Sequence, residues 1–193
     1  MTKIPAVALL CCAVVAPLAA QGTILPPEQQ IVAAVLPLPT DLRPGATVMG
    51  YNTDGKLVIL RSGAGDMTCL ASDPKGEGFH AACYHNDMEP FMARGRALRA
   101  SGVTGAKVDT VRFQEVKSGK IKMPENPSAM YQIFGDSYDP AKNEVAKPQP
   151  LYVVYIPFAT GKTTGLPEKP FGKAPWVMFP GTPKAHIMFT PGM

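Results

Sequence analysis

The segment that decides the fold runs from Met67 to Ser101 and reads MTCLASDPKGEGFHAACYHNDMEPFMARGRALRAS. Its first half holds two short runs, Met67–Ala71 and Phe79–Tyr84, which carry one cysteine each and flank a polar loop. Short runs bounded by turn residues are typical of neighbouring strands. The second half places apolar residues at helical spacing over Met88–Ser101. The segment therefore predicts two strands followed by a helix that packs on them.

Further strand-like runs lie on both sides of this segment, and a second helix follows it. The second helix is predicted over Lys107–Ser118, because Gly119 is a residue that commonly ends a helix. The additional runs are bounded by glycine, proline and other turn residues, which favours strands. They are Ala46–Tyr51, Lys56–Arg61, Ala129–Phe134, Leu151–Phe158, Trp176–Phe179 and His186–Phe189.

The order of these elements predicts the fold class. Strands come first, two helices lie in the middle of the chain and strands follow, which is the pattern of an α+β fold with a mostly antiparallel sheet. The 193 residues include 21 prolines and 18 glycines, so Pro/Gly-rich loops are expected between the elements. We expect Gly135–Pro150 to be a surface excursion and Thr160–Lys173 to be a long Gly/Pro loop.

Composition excludes several classes of protein. Hydrophobic residues make up 46% of the chain and charged residues 18%, which is enough apolar surface for a folded core. The formal net charge is only +4, and the basic residues form no block. Nucleic acid is therefore not an expected partner.

The first 20 residues have the three-part layout of a secretory signal peptide. Lys3 supplies a positive charge, Ala6–Ala16 is an unbroken apolar run, and small residues precede a cleavage position after Ala20. The apolar run is too short for an ordinary membrane helix. We therefore expect residues 1–20 to be a signal peptide and the mature chain to be periplasmic or extracellular.

The rest of the chain is expected to form one domain with a short entry segment. Residues 21–45 are rich in proline and predict an extended N-terminal segment with a short helix near Gln29–Leu36. Residues 46–193 are then a single α+β domain. No run in that part approaches the length of a transmembrane span.

The two cysteines of the mature chain predict a disulfide. After cleavage, Cys69 and Cys83 are the remaining cysteines, and an exported protein matures where thiols oxidise. The competing interpretation is a metal site, since His80 and His85 flank Cys83. The C-x2-C and H-x3-H spacings of a zinc finger are both absent, so the disulfide is favoured.

Four residues form the candidate metal set. His80, His85, Glu89 and His186 would meet if the cysteine loop, the start of the helix and the last strand came together. Neutral imidazole and carboxylate groups suit a divalent metal such as zinc, with an open position for water in a catalytic site. The alternative is that the histidines are solvated or hydrogen-bonded core residues and that Glu89 stabilises the helix N-terminus.

Most larger aromatic side chains lie in the C-terminal half. They belong either to a mixed core or to an aromatic platform for a glycan or an apolar ligand. These residues are Tyr152, Tyr155, Phe158, Phe171, Trp176 and Phe179.

Two stretches resemble known sequences. Gly65–Gly95 and Pro175–Phe189 are similar to a group of exported bacterial hypothetical proteins to which no activity is assigned. The resemblance implies export and supplies no catalytic or binding residues.

Taken together, the sequence predicts an exported binding or interaction domain of the cell envelope. Its partner would be a small molecule, a glycan or an envelope protein. The alternative is a small metal-assisted hydrolase that uses His85, Glu89 and His186. Metal content and the spatial convergence of His80, His85 and His186 separate the two hypotheses.

Overall fold

A single eight-stranded sheet organises the protein, and the computed structural model describes it over residues 23–190. The spatial order of the strands is β2-β1-β3-β4-β5-β8-β10-β9. The β1–β3 pair is parallel, and the other neighbours in this sheet are antiparallel. The strands are β1 (Thr47–Tyr51), β2 (Leu57–Arg61), β3 (Met67–Leu70), β4 (Phe79–His85), β5 (Ser128–Gly135), β8 (Gln149–Tyr155), β9 (Trp176–Met178) and β10 (His186–Phe189).

The described residues contain four α-helices, whereas the sequence predicted two in the middle of the chain and a short one before the sheet. The helices are α1 (Pro27–Ala34), α2 (Glu89–Ala100), α3 (Ala106–Lys117) and α4 (Gly161–Thr164). The α4 turn forms in a region expected to be loop, because the Thr160 and Thr163 side chains make a reciprocal capping box. The α+β class and the mostly antiparallel sheet are confirmed.

The helices cover opposite faces of the sheet. Neighbouring residues of a strand point to opposite faces, and β4 illustrates this with Cys83 and Tyr84. Cys83 packs in a core cluster with Ala34 of α1, while Tyr84 packs with Phe91 of α2. The sheet therefore separates an α1 side from an α2–α3 side. None of the helices in residues 23–190 has the length and apolar character to cross a membrane.

The predicted disulfide is confirmed. Cys69 of β3 lies directly opposite Cys83 of β4, with 4.0 Å between the two Cα atoms, and the sulfur atoms are bonded. Both residues are fully buried beneath α1. The bond therefore joins two central strands within the core.

The N-terminal segment contributes to the same core as the sheet. Ala34, Val35 and Leu38 are buried in one cluster with Val48 and Cys69. The helix expected within residues 21–45 therefore does not stand apart from the α+β domain but covers part of its sheet.

The excursion between β5 and β8 folds into a hairpin where a loop was expected. The strands β6 (Ser137–Asp139) and β7 (Glu144–Ala146) pair with each other and form a separate two-stranded sheet. Gly78 adopts a positive φ of 68°, and a Cβ atom there would lie 2.6 Å from the carbonyl oxygen of Gly135. Glycine therefore allows the start of β4 to approach the base of the hairpin closely.

Candidate ligand pocket

A cavity of about 410 Å³ opens on the α1 side of the sheet. It lies between the segment before α1, α1 itself, the end of β1, the loop after β3, the start of β4 and the β6–β7 hairpin. Its apolar walls include Leu25, Ala33, Ala71 and Phe79. Four stretches of the chain that are separate in sequence, within 23–33, 71–79 and 136–138 and at Tyr51, thus converge on one concave surface.

Gln30 fixes two walls of this cavity. Its side-chain amide donates to the carbonyl oxygens of Leu25, at 2.7 Å, and Tyr51, at 2.8 Å. Its Oε1 atom accepts from the backbone N–H of Tyr51 at 2.7 Å. Gln30 is only 5% exposed, so these bonds replace those that the amide and the backbone groups would make with water. The residue joins the entry segment, α1 and the end of β1.

Aromatic rings form a second part of the wall. Phe79 stacks on Tyr138 of the hairpin with 5.3 Å between ring centroids, and the Tyr138 hydroxyl donates to Oδ1 of Asn143 at 2.9 Å. Burial, assisted by the charge of Asp139, raises the pKa of Tyr138. The ring is thus held in place by stacking on one side and a hydrogen bond on the other.

Tyr51 lines the cavity beside Asp73. Burial raises the pKa of Tyr51 to about 12, and the negative charge of Asp73 adds to the effect. Tyr51 is therefore a neutral phenol at physiological pH.

Two carboxylates lie at the rim of the cavity. The Oδ1 atom of Asp73 accepts a hydrogen bond from the backbone N–H of Lys75 at 2.9 Å, which orients the side chain. Asp136 forms an ion pair with Lys147 at 2.6 Å, and both side chains are well exposed. The lining contains no lysine, arginine or histidine among the described residues. The site therefore has an apolar body and a negatively charged rim.

The residues predicted to bind a metal do not come together. His80 lies opposite Phe134 of β5. His186 lies opposite Tyr155 of β8, which in turn lies opposite Ser128 of β5. The two histidines are therefore six positions apart along β5. That separation is about 20 Å at the usual rise of a strand. Within residues 23–190, no three or more His, Cys, Asp or Glu side chains are placed to hold a metal ion. The described residues therefore do not bring the predicted metal set of His80, His85, Glu89 and His186 into one site.

His85 is also distant from His186. Both lie near the same end of the sheet, but β4 and β10 are three strand spacings apart, which is about 14 Å. His85 caps a short 3-10 turn, where its Nδ1 atom accepts from the backbone N–H of Asp87 at 3.3 Å. His80 instead stacks on Phe134. Each histidine thus has a local structural role.

Glu89 is held by groups other than histidine. Its carboxylate accepts from the Tyr84 hydroxyl at 2.5 Å and from Arg96 at 2.6 Å, and Arg96 also donates to the Tyr84 oxygen. Burial, followed by the hydrogen bond to Glu89, raises the pKa of Tyr84 well above its usual value. This network ties β4 to α2 and leaves Glu89 in a structural position.

His186 is a buried core residue. It is 5% exposed, and its ring contacts the rings of Tyr155 and Phe179. The Nδ1 atom lies 2.7 Å from the carbonyl oxygen of Lys184, which requires the proton on that nitrogen. Burial lowers the pKa of His186 below 6.5. The imidazole is therefore neutral at pH 7 and serves the core.

The C-terminal aromatic residues divide between the core and the surface of the sheet. Tyr155 is buried in the α2–α3 core, while Tyr152 is 40% exposed on the opposite face of the sheet. Tyr152 contacts the ring of Tyr131 edge-on at 5.7 Å and lies opposite Phe189, which is also exposed. A row of three rings therefore crosses β5, β8 and β10, in which Tyr131 is partly buried and Tyr152 and Phe189 are exposed.

The residues of the cavity could not have been identified from local sequence patterns. Asp73 occurs in a polar turn, Gln30 in a short helix and Tyr138 in an expected loop, and none belongs to a motif. Comparison with protein-family models, curated proteins and solved structures gives no match to this chain. The site is therefore characterised by its own geometry.

Proposed function

We propose that this protein is an exported binding domain of the cell envelope and that the cavity beside α1 holds a small organic ligand. The cavity carries the proposal. Its volume of about 410 Å³ falls within the range of small-molecule sites, which is about 300–1,000 Å³. It also combines mostly apolar walls with a few polar groups, as such sites do.

The side chains that form the walls of the cavity are held in place by contacts within the protein, which supports a role in ligand binding. Gln30 holds Tyr51 and the segment before α1, and stacking holds Phe79 against Tyr138. A wall that is ordered before binding reduces the entropy lost when a ligand enters. The arrangement favours a ligand with an apolar body that lies on these rings.

Export is part of the proposal and is supported by the N-terminal sequence. Residues 1–20 have the layout of a signal peptide, and they lie outside the described residues. The Cys69–Cys83 bond is compatible with an oxidising compartment. We therefore propose that the domain meets its ligand in the periplasm or outside the cell.

The alternative function, a metal-assisted hydrolase, depended on the convergence of His85, Glu89 and His186. His85, Glu89 and His186 would have to share one centre, and the sheet holds His85 and His186 about 14 Å apart. Glu89 is engaged by Tyr84 and Arg96. Binding without chemistry is therefore the function that the geometry favours.

A fragment screen by NMR would test the proposal. Compounds that bind should shift the backbone signals of Tyr51, Phe79 and Tyr138. The Ser137→Trp variant places a large side chain at an exposed position that lines the cavity, and it should abolish these shifts. The matched control is Ser62→Trp, at an exposed turn outside the cavity.

The outcome distinguishes binding in this cavity from binding elsewhere. Shifts that persist in the Ser137→Trp variant would show that the fragments bind at another surface, and the proposed site would be wrong. The same conclusion would follow if no fragment shifted the cavity signals. Loss in Ser137→Trp with retention in Ser62→Trp is the expected result.

A further inference from the structure

We infer that the cavity selects small organic ammonium ions over neutral and anionic compounds of the same shape. This inference rests on the proposed binding function and names the chemical class of its ligand. It follows from the charge at the rim, the aromatic walls and the volume that the walls enclose.

The charge of the site is negative. Asp73 and Asp136 line the cavity, and no basic side chain lines it among the described residues. Lys147 offsets the charge of Asp136, but Asp73 forms no ion pair within residues 23–190. Asp73 is therefore the carboxylate available to a cation. An anionic ligand would be repelled by Asp73, and no basic side chain lines the described cavity to bind it.

The carboxylate and an aromatic ring lie together. Asp73 and Tyr51 both line the cavity, and the charge of Asp73 contributes to the raised pKa of Tyr51. The backbone N–H of Lys75 holds the Asp73 side chain in this position. A cation beside an aromatic face is attracted by the ring quadrupole in addition to the opposite charge. Tyr51 and Asp73 thus provide both attractions at one place.

The rest of the cavity specifies an organic ion. Ala33, Ala71 and the stacked pair Phe79–Tyr138 present apolar surface, which stabilises hydrocarbon groups rather than a hydrated metal ion. Hard metal cations take about six or more oxygen ligands. The residues of the cavity do not include a group of three acidic or histidine side chains placed for a metal. Methyl or alkyl groups on nitrogen fit this environment better.

Three compounds of nearly identical shape test the selectivity. Choline carries a trimethylammonium group, 3,3-dimethylbutan-1-ol replaces the nitrogen by carbon, and 3,3-dimethylbutanoate is an anion. NMR titration of the full mature chain at 150 mM salt would measure each dissociation constant. Choline should bind about tenfold more tightly than the alcohol, since desolvated cation–π contacts reach that size. The carboxylate should not bind measurably.

A charge variant identifies the residue responsible. Asp73→Asn keeps the size of the side chain and should weaken choline binding about fivefold while leaving the alcohol unchanged. Asp54→Asn is the matched control, because Asp54 is an exposed aspartate in the β1–β2 turn outside the cavity. An equal loss in both variants would mean that general surface charge attracts the ion, which would overturn the inference.

The results separate this inference from the proposed function. If the alcohol binds in the cavity as tightly as choline, the ammonium selectivity is wrong and the binding function stands. If neither compound nor any fragment shifts the cavity signals, both are wrong. Tighter binding of choline that Asp73→Asn weakens and Asp54→Asn does not is the result that supports the inference.

Discussion

Replacement of Gln30 by methionine should destabilise the protein and open the wall of the cavity. Gln30 makes three hydrogen bonds from a position that is 5% exposed, two to carbonyl oxygens and one from the N–H of Tyr51. Methionine has a similar length and fills the same space without these polar groups. The substitution therefore tests the hydrogen bonds with little change in packing volume.

The expected cost follows from the number of bonds lost. A protein hydrogen bond contributes a net of about 1 kcal/mol, and a backbone group left buried without a partner costs about 1–3 kcal/mol. Water can reach part of this region through the open cavity, which limits the penalty. We expect Gln30→Met to lower the free energy of unfolding by about 2–4 kcal/mol. For a chain of this size, a change of about 3 kcal/mol lowers Tm by roughly 6–12 °C.

Urea unfolding of the two variants Gln30→Met and Gln29→Met would measure the effect. The control residue is the preceding glutamine of α1, whose side chain makes none of these bonds and is partly exposed. The fluorescence of the single tryptophan, Trp176, reports unfolding. If both variants lose less than about 0.5 kcal/mol, as ordinary surface changes do, then the Gln30 bonds do not stabilise the wall.

Three further outcomes are expected. Alkylation of native protein without reductant should modify neither Cys69 nor Cys83, and two modified thiols would contradict the bond. Replacement of both cysteines should lower the free energy of unfolding by about 3 kcal/mol, because the bond closes a loop of sequence separation 14. The free energy of unfolding should fall as pH drops below 6.5, because burial lowers the pKa of His186 and the unfolded chain binds a proton first. His186→Gln should reduce this dependence of the unfolding free energy on pH. An unchanged dependence would assign it to other groups. N-terminal sequencing of protein recovered from the periplasm or medium should begin directly after Ala20, whereas an intact Met1 would exclude cleavage.

The sequence predicted the strands of the main sheet and the first three helices, but it did not predict the β6–β7 hairpin or α4. Short runs bounded by turn residues predicted the β4 strand and its partner β3, because those signals are local and the two strands are close in sequence. The β6–β7 hairpin was missed, since Ser137–Asp139 and Glu144–Ala146 are short and polar. Tyr138 of this hairpin packs on Phe79 at the start of β4, a contact between distant parts of the chain that no local pattern expresses.

The positions of the residues predicted to bind a metal could not be foreseen for the same reason. His85 and Glu89 are near in sequence, but a 3-10 turn lies between them and directs Glu89 to Tyr84 and Arg96. The sequence gives no measure of how far β10 lies from β4 in the sheet. The order of strands placed His186 three spacings away, and that order is decided by long-range pairing rather than by spacing along the chain.

The position of α1 couples binding to stability. Gln30 and Ala33 of this helix face the cavity, while Ala34 packs with the buried Cys69 and Cys83. A ligand that binds only the folded state stabilises it in proportion to the logarithm of its concentration over the dissociation constant. Because the two groups of contacts lie on one short helix, a bound ligand should slow hydrogen exchange in α1 more than in α3, which is on the opposite face of the sheet. Equal protection of both helices would indicate that the ligand stabilises the fold only globally, and stronger protection of α3 would place it on the other side of the sheet.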